Sequence, residues 1–166
     1  EIITTGRFTT SPKERYLEDY VEGAVHEMGP VTVTADEIVD FAKTFDPQVF
    51  HTNPKEARET VYGGLIASGW HTCSLFMRLF VEHYLAGPAS LGIPGVDELR
   101  WLKPVRPGDR LILRVTVHKV KPSRSKPDRG VLFSFCEMLN QKKEVVASMM
   151  ALNLIRYREA AELKIT

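Results

Sequence analysis

Between Gly63 and Ala86 the chain reads GGLIASGWHTCSLFMRLFVEHYLA, and no other stretch restricts the fold as much. From Trp70 to Phe80, the residues Trp70, Cys73, Leu75, Phe76, Met77, Leu79 and Phe80 fall on nearly every side of a 3.6-residue period, the pattern of a helix buried all round. Running from Gly69 to Ala86, such a helix is about 27 Å long at 1.5 Å per residue, the span of a small domain. Gly87-Pro88 stops it. It is too short to cross a bilayer, and Arg78, Glu82 and His83 make it too polar. Everything downstream reads as strand, so the sequence predicts an α+β protein in which an antiparallel sheet wraps around one long central helix.

The strands follow in order. Leu99 to Leu102 closes on Lys103-Pro104-Val105-Arg106-Pro107-Gly108-Asp109, whose prolines and Gly-Asp form a turn. Leu111 to Val120 is β-branched and alternates in its second half. After a polar loop from Lys121 to Arg129, two more strands cover Gly130 to Leu139 and Val145 to Tyr157. At the other end, Glu1 to Lys13 is polar and aperiodic and reads as a loosely held arm. The expected division is therefore an arm over residues 1–15 and a single domain over 16–166. A strand near Val21 to Glu27 turns at Met28-Gly29-Pro30, and Val31 to Val33 resumes it.

The segment between that strand and the central helix is where the sequence is most specific. Thr34-x-x-Glu37 is a capping box that opens a helix, and Ile38, Phe41, Ala42 and Phe45 give it an inward face. It must stop at Asp46-Pro47, because the residue before a proline is pushed out of the helical region. Asn53-Pro54-Lys55-Glu56 then starts another helix with an N-cap, a proline at its first position and a second box. The stretch Asp46 to Thr52 is thus a loop fastened at both ends.

That loop sets a carboxylate, Asp46, and an imidazole, His51, five residues apart. Such a pair can share one water: the carboxylate takes its proton, and the imidazole orients it or moves a second proton. The plainer alternative is that Asp46 only terminates a helix and His51 only hydrogen-bonds within the loop. A second candidate is the run Tyr62-Gly63-Gly64 with Ser68-Gly69 at the start of the long helix, where unpaired amides can hold a developing oxyanion. A flexible turn and a close-packed helix start explain the same residues. His71 is near enough to Gly69 to contact a substrate, but the plainer reading, and the one preferred, is a hydrogen-bonded core residue. Trp70 and Trp101 are assigned to packing, with Trp70 also a candidate pocket wall. A metal site built from Asp46, His51 and His71 lacks a further ligand and a recognisable spacing, so no metal is expected.

Composition narrows the partners. A formal charge of +1 over 166 residues with 26% charged residues argues against nucleic acid or an anionic membrane as the main partner. The basic cluster Lys119, Lys121, Arg124, Lys126 and Arg129 reads as a solvated hairpin tip or as a contact for phosphates or an acidic carrier. Cys73 and Cys136 sit in an apolar helix and an apolar strand and read as reduced core residues. No apolar run of about eighteen residues and no leader pattern are seen. A cytoplasmic protein is the expectation.

Taken together, these segments resemble the MaoC-like hydratases and dehydratases, the (R)-specific enoyl-CoA hydratase branch of the hot-dog fold superfamily. The resemblance runs from about Tyr16 to Ile155. It is carried by Tyr16 to Asp19 with Gly23, by Val33-Thr34 to Phe41-Ala42, by Asp46 to His51 with Gly63 to Gly69, and by Pro104 to Asp109. The family's Asp-x-Asn-Pro-x-His motif places its catalytic carboxylate on Asp46 and its catalytic histidine on His51, and its carbonyl-polarising amide falls on Gly69. Gln48-Val49 replaces the usual Asn-Pro, Phe45 a common glycine, and Ser68 a common histidine. Gln48 still donates and accepts as asparagine does, and Ser68 is a sound N-cap.

The resemblance implies a hot-dog fold and the addition or removal of water across the 2,3 bond of an acyl-CoA or acyl carrier protein thioester. It implies no cofactor beyond that coenzyme A or phosphopantetheine carrier, and a site formed by Asp46, His51 and Gly69 with Gly64, Ser68, Trp70 and His71 around the substrate. With an exposed sheet edge it also implies a homodimer or an assembly of dimers. The alternatives are a hot-dog acyl-CoA thioesterase, in which the loop carboxylate activates water against the carbonyl, and a catalytically silent acyl-CoA binding module.

Overall fold

The computed structural model describes residues 7–159. Five strands, β1 (Val25–Thr32), β2 (Gly95–Trp101), β3 (Arg110–Pro122), β4 (Arg129–Leu139) and β5 (Val145–Arg156), form one antiparallel sheet in the order β1-β3-β4-β5-β2. Four α-helices precede β2: α1 (Ala35–Phe45), α2 (Val49–Thr52), α3 (Pro54–Ala57) and α4 (Gly69–Leu79). Alternation along β3, β4 and β5 sends Leu113, Val115, Leu132, Met138 and Ile155 to the inner face, where all are buried. They meet Phe76, Leu79 and Phe80 of the central helix in one core. This is the expected α+β hot-dog arrangement.

The central helix departs from expectation in two ways. It is regular only to Leu79 and continues as a π-helical turn over Phe80–Tyr84, after which Leu85 is extended. It is also not buried all round. His71, Thr72, Phe76, Leu79, Phe80 and Tyr84 are buried, whereas Trp70 is 57% exposed and Val81 49% exposed. A sheet curls over one side of a helix only, and the half-buried Leu75 and Met77 flank that contact. The dense apolar run therefore serves one face and its borders.

The carbonyls at the end of this helix are satisfied from the N-terminal segment, as a buried helix end requires. Arg15 donates through Nη1 to His83 O at 3.0 Å and to Tyr84 O at 2.6 Å, and the Tyr20 hydroxyl donates to Tyr84 O at 2.8 Å. The Arg15 guanidinium lies 3.4 Å from the Phe8 ring centroid, and that ring stacks on His26 at 4.0 Å. Of the predicted loose arm, residues 1–6 lie outside the described residues. Phe8 to Arg15 is instead pinned, because a buried arginine is held by carbonyls that need its donors.

Smaller differences have local causes. β1 runs straight through Gly29-Pro30 instead of turning there: Gly29 sits at φ 111° within a bulge between Met28 and Val31. A bulge on an edge strand accommodates a proline that has no N–H to give. The hairpin of β3 and β4 extends through Pro122 and Arg129, consuming part of the predicted loop. Its basic tip lies at the far end of β4 from Leu139, roughly 30 Å away at about 3.3 Å per residue. Phe45, predicted inward, is 70% exposed, while Ile38 and Ala42 carry the buried face of α1. Cys73 and Cys136 are free thiols, and burial pushes both above their ordinary range.

Candidate active site

Capping fixes the loop that bears the candidate acid and base. Thr34 N–H donates to Glu37 Oε2 at 2.9 Å and Glu37 N–H returns to Thr34 Oγ1 at 3.2 Å, so α1 begins where the sequence says. It ends at Asp46, whose N–H donates to Ala42 O at 2.9 Å. The expected loop then contains one turn of helix, α2, which carries His51. Asn53 Oδ1 accepts from Lys55 and Glu56 N–H and so begins α3.

This turn brings His51 Nε2 to 3.2 Å from Asp46 Oδ2. On its other side His51 Nδ1 is 2.7 Å from Ile66 O. A carbonyl only accepts, so Nδ1 carries hydrogen and Nε2 is the nitrogen left to exchange a proton. The Nε2–Oδ2 contact is a hydrogen bond only while one proton lies between the two atoms. The ring is 5% exposed and cannot swing away without leaving Ile66 O unpaired.

The carboxylate is held as firmly. Ser68 Oγ donates to Asp46 Oδ2 at 2.8 Å, and Gln48 Nε2 donates to Oδ1 at 2.8 Å. Burial alone would push the Asp46 carboxyl up, but these two hydrogen bonds and the His51 charge outweigh it and hold the group below the ordinary carboxylate range. Asp46 is therefore an anion at neutral pH, with one oxygen facing His51. Ser68 has a second use: its oxygen accepts from Trp70 N–H at 3.3 Å as the N-cap of α4. Within the first turn of α4 this leaves Gly69 N–H without an acceptor among the described residues.

These groups share a cavity of about 480 Å³. Asp46, Gln48, His51 and Gly69 supply polar groups. Phe50, Tyr62, Ile66 and Ala67 form one wall, Trp70 and Thr72 of α4 another, and Trp101 to Val105 with Val146 the side toward the sheet. The lining is mixed and the cavity open, with polar groups converging on one side and aromatic and aliphatic side chains on the others, a concave form that suits a small molecule. At its margin Lys103 Nζ is paired with Glu144 at 2.6 Å, and Arg106 Nη2 donates to Tyr62 O at 2.6 Å.

Of the residues singled out from sequence, Asp46, His51, Gly69 and Trp70 line the cavity. Ser68 is fully buried behind the carboxylate and reaches the site only through Asp46. Gly64 lies off the cavity beside Arg106, and His71 is turned onto α1, its ring stacked 4.8 Å from Phe41. Burial lowers the His71 pKa, with the Glu37 carboxylate acting against that fall. Among the described residues, no three His, Cys, Asp or Glu side chains converge as a metal site. The sequence reading missed Phe50, Val105 and Val146, and it singled out Tyr62 only as the start of a glycine run. Val146 is recognisable as strand, but which inward strand residue reaches a cavity depends on how the sheet curls.

Known proteins resemble this chain in sequence and in fold. Residues 3–131 match the MaoC like domain family. YdeM of Bacillus subtilis (strain 168), described as uncharacterized, is 30% identical over 127 residues, which is 76% of this chain and 89% of YdeM. The crystal structure of a MaoC-like dehydratase from Rhodospirillum rubrum matches with a TM-score of 0.78 and 40% identity, covering 87% of this chain and 98% of the other. The unliganded R-hydratase PhaJ1 of Pseudomonas aeruginosa matches with a TM-score of 0.70 over 86% of both chains, and at 21% identity it shares the fold.

Proposed function

For a chain that belongs to the MaoC-like domain family, we propose hydration of trans-2-enoyl thioesters, or the reverse dehydration of 3-hydroxyacyl thioesters, at the Asp46–His51 pair. The observation that carries this reading is the 3.2 Å approach of an ionised carboxylate to the one exchangeable nitrogen of His51, in an open cavity of mixed polar and apolar lining that also presents a free amide.

In the hydration direction, a water held between Asp46 Oδ2 and His51 Nε2 gives a proton to the carboxylate as its oxygen bonds to C3. The C2–C3 electron pair moves toward the carbonyl, whose growing negative charge rests on Gly69 N–H. C2 then takes the proton from His51 Nε2, and Asp46 returns the water's proton to that nitrogen across the hydrogen bond. Atoms and charge balance, and the pair ends as it began. The acyl carbons keep their summed oxidation level, so the step as written uses no redox group or metal. Lys103 and Arg106 at the cavity margin suit the phosphates common to coenzyme A and a carrier protein's phosphopantetheine.

The test incubates the purified protein with a panel of enoyl-CoA thioesters while following both loss of the conjugated double bond and release of free thiol. Loss of the double bond without thiol is the expected result. Thiol release alone would replace hydration with thioester hydrolysis, and neither signal in the presence of binding would leave a silent binder.

The same reading includes a cytoplasmic homodimer. Among the described residues no helix is long and apolar enough to cross a membrane. Edge strand β2 leaves Val96, Trp101 and Leu102 just beyond it 41%, 47% and 54% exposed, and an edge of that kind calls for cover. Light scattering at micromolar concentration is expected to give twice the chain mass, and a monomer mass would remove the dimer.

A further inference from the structure

Gly69 is a glycine for a reason that its backbone does not explain. It is not at positive φ, so an alanine would be conformationally acceptable there. The obstruction is Trp101: a side-chain carbon on Gly69 would lie 2.5 Å from the indole Nε1 and 2.6 Å from Cδ2, inside any real contact distance. The indole therefore lies flat against the first residue of α4, beside the amide with no acceptor. Its position is fixed although 47% of the residue is exposed. Trp101 pairs with Ala147 of β5 through its backbone, and its ring meets Trp70 edge-on at 5.2 Å and 77°. Both tryptophans and Gly69 line the cavity.

We propose that Trp101 sets the acyl specificity of this site, admitting thioesters that are unbranched at C2 and excluding those that carry a methyl or larger group there. A carbonyl oxygen on Gly69 N–H places C2 two bonds away from that contact. From C2, the chain to C3 must run toward Asp46 and His51 if the proposed reaction is to occur. A second substituent on C2 is left with the side over Gly69, which the indole already fills, and Trp70 prevents the ring from retreating. The turnover half of this inference rests on the hydratase reading, but the binding half does not.

The experiment measures binding of butanoyl-CoA and 2-methylbutanoyl-CoA by calorimetry, and turnover of trans-2-butenoyl-CoA and its 2-methyl analogue, for the parent, Trp101→Ala and Trp101→Leu. The parent is expected to disfavour the branched compound by about tenfold or more in both readouts, the usual effect of one carbon in a fitted pocket. Trp101→Ala is expected to bring the ratio within about threefold of one, and Trp101→Leu to an intermediate value. If the alanine variant does not fold, the leucine variant carries the test. Equal binding of the two compounds by the parent, or a ratio unchanged by either substitution, overturns the proposal. Discrimination in binding with no turnover of any thioester would sink hydration and leave the Trp101 wall standing. Failure to bind either thioester would sink both.

Discussion

Asp46→Asn and His51→Ala are each expected to lower hydration turnover by about 10²- to 10⁴-fold, the range of general acid–base catalysis, and the double variant is expected to be little worse than either single one. The geometry dictates the non-additivity. One proton shared over 3.2 Å needs both ends, so removing either disables the relay, and removing the second takes away nothing further. The Asp46→Asn side chain would keep the shape and the hydrogen bond from Ser68 while losing the basic oxygen. Binding of a saturated acyl-CoA is expected to stay within about threefold of the parent, because neither group is assigned to the ground state. A residual rate from the Gly69 amide should persist in all three variants. Single variants that hydrate at near-parental rates would end the mechanism, and single-variant losses that multiply in the double would show two independent roles.

The second large effect concerns stability. Phe76 is 1% exposed and packs 5.0 Å from the Phe80 ring beneath the sheet. Phe76→Ala is expected to cost about 3–5 kcal/mol through lost burial and the cavity it leaves, which for a chain of this size lowers the melting temperature by roughly 6 to 20 °C. Val81→Ala, on the outer face of the same helix region and 49% exposed, is expected to change stability by less than about 0.5 kcal/mol. Thermal unfolding of both variants checks the pair. A Phe76 variant that melts with the parent would remove the helix from the core, and a costly Val81 variant would show that a partner covers the outer face.

Local rules in this chain were legible because they act over a few residues. Thr34 with Glu37, Asp46 before Pro47, and Asn53 with Glu56 define the ends of the active loop through hydrogen bonds and sterics that need no tertiary context. They explain why Asp46 and His51 were visible together. Features set by the curl of the sheet were not legible. His71 and Trp70 are neighbours in the first turn of α4, yet one stacks on Phe41 and the other lines the cavity. Helical period gives the angle between them but not the direction of the sheet. Gly69 was read as a site residue from its place at a helix start and on a family pattern, whereas its steric need for glycine comes from Trp101, 32 positions later in a different element. The same holds for Gln48: its amide was credited with the capacity to replace asparagine, and the structure aims it at Asp46 Oδ1.

The strand order has a consequence for synthesis. β2 is second in the chain but lies beyond β5 at the sheet edge, and its only ladder among the described residues is with β5. On the ribosome, at roughly 5–20 residues per second, β2 emerges a few seconds before the strand it pairs with. During that interval Trp101 and Leu102 have no sheet to rest on, and the cavity lacks both Val146 and the wall that β2 carries. The nascent chain can form the Asp46–His51 turn, whose contacts are local, long before it can enclose a substrate. A stalled chain that ends ahead of β5 should accordingly present its indole to holdase chaperones and, on the hydratase reading, turn over no thioester, so β5 is the strand that completes the cavity wall.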